Sequence, residues 1–100
     1  MKKSIAITGN TGPMVRSDCE ITLEINSKGG IHIDLYSKVK ALYGESIIKL
    51  TEEVLEFFGI RHANVKVNDS GALPFVISAR LEAAVKQLIT TDLDYLPDFL

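Results

Sequence analysis

Few side chains in this 100-residue sequence are placed to do chemistry, and the densest group of them is Arg16-Ser17-Asp18-Cys19. The group stands where a segment opening on Gly12-Pro13 runs into the alternating stretch "CEITLEIN". It poses one question: whether this is an ordinary loop-to-strand turn, or whether Ser17 carries something. Cys19 has no base within sequence reach and falls on the inward face of the alternation, where a free cysteine acts as a small hydrophobe. His32 and His62, the only histidines, read as surface residues, one on a strand exterior and one in a helix-to-strand loop. Glu52, Glu53 and Glu56 share the solvated face of an amphipathic segment. "GNTG" at 9–12 matches no nucleotide-binding fingerprint. A single cysteine excludes an internal disulfide and a multi-cysteine metal site. No nucleophile-base-orienter set can be assembled from this inventory, so the sequence assigns no catalytic and no metal-ligating residue. Such a chain binds, assembles or carries.

The elements that must position Ser17 follow from periodicity. Cys19, Ile21, Leu23 and Ile25 alternate with Glu20, Thr22 and Glu24, which predicts a half-buried strand. "SKGG" at 27–30 is a turn, and "IHIDLYS" repeats the alternation, so the two runs are expected to form a β-hairpin. Ile47, Leu50, Val54, Leu55 and Phe58 recur at helical spacing, with Gly59 as the C-terminal stop. The helix starts at Ser46 or with an earlier turn over Val39 to Tyr43. "ANVKVND" predicts a third strand and "ALPFVIS" a fourth, placed at an edge because Pro74 has no N–H to donate. "ARLEAAVKQLIT" predicts a second helix, with Leu81, Ala84, Val85 and Leu88 on one face. The resulting order is β-β-α-β-β-α, an α+β two-layer sandwich with a mainly antiparallel sheet and helices on one face. Residues 1–100 are expected to be one domain, and 1–18 a flexible N-terminal arm.

Composition narrows the classes further. Hydrophobic residues make up 46% of the chain and the net charge is −2, which is a folding composition rather than a disordered one. Lysines and arginines are scattered, which argues against nucleic acid. No apolar run approaches the roughly 20 residues of a membrane span. "MKKSIAITGNTG" has the lysines of a signal peptide, but Ile5-Ala6-Ile7 is too short for its apolar region. A cytoplasmic location is the expectation.

At "VNDSGALPFVISARLEAAVKQL", residues 67–88, the chain resembles the citrate lyase acyl carrier (gamma subunit) family. The resemblance rests on Asp69, Gly71, Ala72 and Leu73, then Arg80, Leu81, Glu82 and Ala83, with Ser78 where the family has a first arginine. It extends back through "DCEITLEI" and "IHIDLYSKVKALYGESIIKLTEEVLEFFGI", including a Tyr43-Gly44 turn, and covers most of 12–90. The malonate decarboxylase acyl carrier subunit is a more distant likeness. The resemblance implies a serine-linked phosphoribosyl-dephospho-CoA arm that holds acetyl or citryl as a thioester. It also implies citrate lyase alpha and beta subunits and a prosthetic-group transferase as partners. The chain would be a non-catalytic carrier subunit rather than a free-standing enzyme.

The family motif runs roughly Gly-Thr-x-Glu-Ser-x-Asp. With Gly12 and Asp18 aligned, the modified serine falls on Arg16, and Ser17, the candidate attachment residue, lies one position late. Three readings stay open. Ser17 takes over by a one-residue shift. Alternatively, the chain is a paralogue that has lost the attachment serine and acts as a non-catalytic interaction or assembly subunit. In the third, Thr11 or Thr8 is used. Alternation along an extended chain would turn Ser17 away from the side that Arg16 faces. Arg80 is expected to pair with Asp69 or Glu82, or to grip a phosphate. Leu93, Tyr95, Leu96, Phe99 and Leu100 form a candidate contact surface.

Overall fold

The structure, a computed structural model, describes residues 5–37 and 40–95. Val39 and the tail positions Leu96, Phe99 and Leu100 lie outside the described residues. The elements are β1 (Ile5–Gly9), β2 (Cys19–Ile25), β3 (Ile31–Ser37), α1 (Lys40–Phe57), β4 (Ala63–Asp69) and α2 (Pro74–Leu88). The α+β class and the packing of helices on the sheet agree with the sequence. The order is β-β-β-α-β-α, however, in place of β-β-α-β-β-α. The four strands lie in the order β1-β2-β4-β3, with β1/β2 and β2/β4 antiparallel and β3/β4 parallel. Among the described residues, no helix is long and apolar enough to cross a membrane.

Three differences separate the structure from the expected architecture. The first is β1, which occupies part of the expected flexible arm. Only Ala6 points into the core, while Ile5 and Ile7 are about half exposed. Its inward face is therefore nearly blank in the sequence, and its place comes from backbone pairing with β2. The second is the expected hairpin, which does not form, because β4 inserts between β2 and β3. Ala63, Val65 and Val67 of β4 are almost fully buried, so the central position removes the most apolar surface from water. The chain crosses over the start of β4 at residues 26–30. There the Asn26 N–H donates to the His62 carbonyl, the Ala63 N–H to the Gly30 carbonyl, and the Gly30 N–H to His62 Nδ1. His62 is thus a structural acceptor holding that crossing.

The third difference is the expected strand "ALPFVIS", which is largely the first turns of α2. Pro74 sits at the first helical position, where its missing N–H leaves no bond unmade. Leu73 before it is extended, with φ −69° and ψ 154°, as a residue preceding proline prefers. Asp69 Oδ1 accepts the Ala72 N–H at 2.8 Å, closing the turn that launches the helix. Helix α1 begins at Lys40, so Tyr43-Gly44 lies within it rather than at a turn. Gly44 is buried close to Leu35 of β3.

The predicted faces of both helices are the buried ones: Ile47, Leu50, Val54 and Leu55 of α1, and Leu81, Ala84 and Val85 of α2, meet Ile21, Leu23, Val65 and Val67 in one core. The helix stop at Gly59, with φ +73°, is as expected. Tyr95 packs edge-on against Phe57 of α1, with ring centroids 5.4 Å apart, so this part of the tail lies on a helix. Leu93 is half exposed.

Gly9 ends β1 at φ +83°, and a Cβ there would stand 1.9 Å from the Cys19 carbonyl oxygen. Both the steric approach and the left-handed backbone select glycine. Gly9→Ala is expected to destabilise the fold by at least about 2 kcal/mol, measured as a lowered urea midpoint with an unchanged slope.

Candidate functional site

The connection from β1 to β2, residues 10–18, carries the polar cluster. Its first half is a reverse turn in which the Val15 N–H donates to the Gly12 carbonyl at 3.1 Å. Pro13 stands at the second position, where its fixed φ suits the turn. Met14 at the tip is 90% exposed.

The second half is pinned. The Ser17 N–H donates to the Ser70 carbonyl, and the Ser70 N–H returns to the Asp18 carbonyl, both at 2.9 Å. Ser17 and Asp18 together therefore face one residue, Ser70, just beyond the paired Cys19 and Asp69. This is a β-bulge, and its first residue is in the left-handed region, at φ 58° for Ser17. Glycine is the usual residue at such a position. A serine there carries a steric penalty of about 1–2 kcal/mol. Ser17 is the only non-glycine residue with positive φ among the described residues.

The bulge answers the objection raised by strand alternation. Ser17 is not extended, so it is not forced to the side opposite Arg16, and both residues are exposed. Thr8 and Thr11 differ in standing. The Thr8 hydroxyl is committed to the Arg80 carbonyl at 2.7 Å, whereas Thr11 is exposed.

Beside Ser17, Asp18 forms the electrostatic centre of the loop. Its carboxylate accepts Arg80 Nε at 3.1 Å and Arg80 Nη2 at 2.8 Å. The same carboxylate accepts the Cys19 N–H at 2.7 Å and the Asn10 side-chain amide at 2.9 Å. Hydrogen bonding from Arg80 is the main reason that the Asp18 carboxyl is held down to about 2; partial burial opposes it, and Asn10 and the Cys19 N–H assist. Arg80 thus pairs neither with Asp69 nor with Glu82. Asp69 is buried and accepts from Ser37 and the Ala72 N–H. Glu82 receives Lys86 and the Tyr95 N–H. Arg80 does form an ion pair, but it ties the second helix to Asp18 at the entry to β2 and not to the turn that follows β4. No sequence signal marks a partner 62 residues away.

Cys19 is fully buried. Burial foremost, then the charges of Asp18 and Asp69, push its thiol up to about 12, which suits packing and not nucleophilic attack. Ser78, where the resembled family has arginine, is also buried, and its hydroxyl bonds the Phe75 carbonyl at 3.0 Å.

The chemistry of this loop fits a phosphodiester on Ser17. Ser17 is exposed, its backbone is fixed, and the one adjacent carboxylate is already neutralised by Arg80. Arg16, the residue before it, adds an exposed cation, and arginine suits phosphate.

Comparison with known proteins gives consistent likenesses. Residues 7–88 match the acyl carrier family model described as malonate decarboxylase delta subunit (MdcD). The chain is 42% identical over 74 residues to a citrate lyase acyl carrier protein of Clostridium perfringens, covering 74% of this chain and 73% of that one. It is 40% identical over 87 residues to the citrate lyase acyl carrier protein of Lactobacillus acidophilus, covering 87% and 89%. With that of Oenococcus oeni the identity is 39% over 92 residues, covering 90% and 89%. Among solved structures, homoserine kinase from Cytophaga hutchinsonii aligns with a TM-score of 0.52 at 16% identity. That match covers 90% of this chain and 30% of the kinase, and is a likeness of fold alone.

The depressed Asp18 carboxyl sets a pH dependence. A carboxylate lowered on folding contributes stability that is complete above its unfolded value of 3.8 and is lost as pH falls toward about 2. Arg80→Gln is expected to lower stability at neutral pH by about 1–2 kcal/mol, the pair being partly exposed. The gap from the unaltered protein should narrow between pH 4 and pH 2, as followed by denaturant unfolding at each pH.

Proposed function

The chain belongs to the acyl carrier family to which the citrate lyase and malonate decarboxylase carriers belong, and we propose that it is the carrier subunit of a citrate lyase-type complex, with Ser17 as its attachment residue. The whole chain would act as one carrier domain. The observation that carries the reading is the bulge: a serine, exposed and left-handed, held where glycine is usual. Strain of this kind persists where the surroundings fix it, and it gathers at functional positions.

The group implied is phosphoribosyl-dephospho-CoA, which when bound supplies a thiol for acetyl or citryl. The residues of the chain itself do the positioning. Ser17 supplies the hydroxyl, and Arg16 and the Asp18–Arg80 pair give the adjoining phosphate a cationic, charge-balanced setting. The Ser17–Ser70 and Ser70–Asp18 bonds make the tether point rigid, so that its reach is set by the arm and not by loop motion. A tethered group has a high local concentration at two partner sites without diffusing between them. Citrate lyase alpha and beta subunits are the partners this reading requires, together with a transferase that installs the group.

A second reading is favoured by one residue. Arg16 stands where the ungapped family pattern places the modified serine, which suits a paralogue without an arm that serves as an assembly subunit.

Co-expression with the family's prosthetic-group transferase separates the two. The carrier reading predicts an intact-mass increment equal to the arm, mapped to the peptide containing Ser17 and absent in Ser17→Gly. Since glycine relieves the left-handed strain, Ser17→Gly is expected to be unchanged in stability or to gain up to about 1 kcal/mol. An unmodified chain, under conditions that modify a standard carrier, would overturn the carrier reading, and its co-purification with lyase-type subunits would then support the assembly reading.

A further inference from the structure

A cleft of about 600 Å³ opens between α1 and the connection from β4 to α2. Ile47 and Leu50 of α1, Ile77 of α2, and Leu73 before it give it apolar walls, with Tyr43 at one side. Tyr43 and Leu73 remain 56% and 58% exposed, so these apolar groups are left uncovered by the described fold. Among the described residues, Lys49 is the one cation that lines it, and Glu53 also lines it. The carboxylate of Asp69, which also lines the cleft, is already committed to Ser37 and the Ala72 N–H.

The cleft wall begins close to the bulge along the chain. Ser17 is hydrogen bonded to Ser70, and the next residues, Gly71, Ala72 and Leu73, line the cleft. The attachment backbone is therefore one hydrogen bond and one residue from the cleft wall, a path on the order of 10 Å.

We propose that this cleft is an intramolecular resting site for the amide-and-methylene stem and short acyl end of the group carried on Ser17. The inference rests on the carrier reading and adds a second site to it. Its dimensions are those of small-ligand pockets, and its character is that of one, mostly apolar with a few polar groups. Tight binding is not required. A flexible tether gives a local concentration in the millimolar range, so an affinity of about millimolar keeps the cleft filled for much of the time. An interaction of that strength shields a thioester from water and other nucleophiles, yet releases it when a partner site competes.

The test uses protein whose loading has been verified by intact mass. The first readout is the rate at which iodoacetamide alkylates the deacylated arm thiol, compared with free pantetheine at the same pH. Cys19, fully buried, does not compete in the native protein. The loaded thiol is expected to react about two-fold more slowly than pantetheine, as half-occupancy of the cleft requires, and Leu73→Glu and Tyr43→Ala, both at exposed positions, to restore most of the rate. The second readout is the change in backbone amide shifts when the arm is installed. Shifts at Leu50, Ala72 and Ile77, with none at Lys66 on the open sheet face, would support the cleft.

A thiol as reactive as pantetheine, with shifts confined to residues 10–18, would overturn the cleft and leave the carrier reading standing. Shifts at the cleft that arise only on adding partner subunits would assign it to a partner and likewise overturn the resting site. Failure to load any arm would overturn both readings, and the mass measurement alone reports that outcome.

Discussion

One ion pair organises the end of the molecule where the candidate loop lies. Asp18 stands at the entry to β2 and Arg80 on α2, and their twofold contact fixes the helix to the sheet at that point. Asn10 at the end of β1 joins the same carboxylate, and the Arg80 backbone carbonyl takes the Thr8 hydroxyl. Three elements therefore meet at one partly buried charge. Gly9 is drawn into the same constraint, because β1 must pass close to the Cys19 carbonyl for Asn10 to reach Asp18. The exposed bulge is held on one side by this pair and on the other by the Ser70 backbone.

Much of the scaffold could be read from periodicity. The strands at 19–25, 31–37 and 63–69 and the cores of both helices show their inward faces plainly, since each buries a regular set of apolar residues. What the sequence withheld was mostly non-local. Pairing order depends on which strand gains most from the centre, and that comparison involves segments far apart in the chain. The apolar run before Arg80 is ambiguous by period, and Pro74 suits an edge strand and a helix start equally; the Asp69 turn decides for the helix. β1 escaped notice because its outward side holds the large residues and its inward side holds only Ala6 and Thr8.

The site was legible in part. Position alone drew attention to Ser17, and the family pattern made its displacement by one residue visible. That pattern could not show the backbone conformation at Ser17, which is left-handed and not extended. A bulge adds a residue to one strand without disturbing the pairing on either side, and it replaces the alternating geometry on which the objection to Ser17 depended. The Arg80 partner was hidden for the same reason as the strand order: aspartate and arginine are 62 positions apart and meet only after three elements have packed.

The central position of β4 bears on how the chain assembles as it is made. Both of its sheet neighbours are synthesised before it, and β3 has no other strand to pair with. Until residues 63–69 leave the ribosome, β3 has neither partner nor register, and β2 can pair only with β1. Unpaired edges of that kind recruit other chains. The interval between translation of β3 and β4, which is the time taken to make α1 and its following turn, is therefore the period of greatest exposure to aggregation. It ends when a single strand completes two ladders at once.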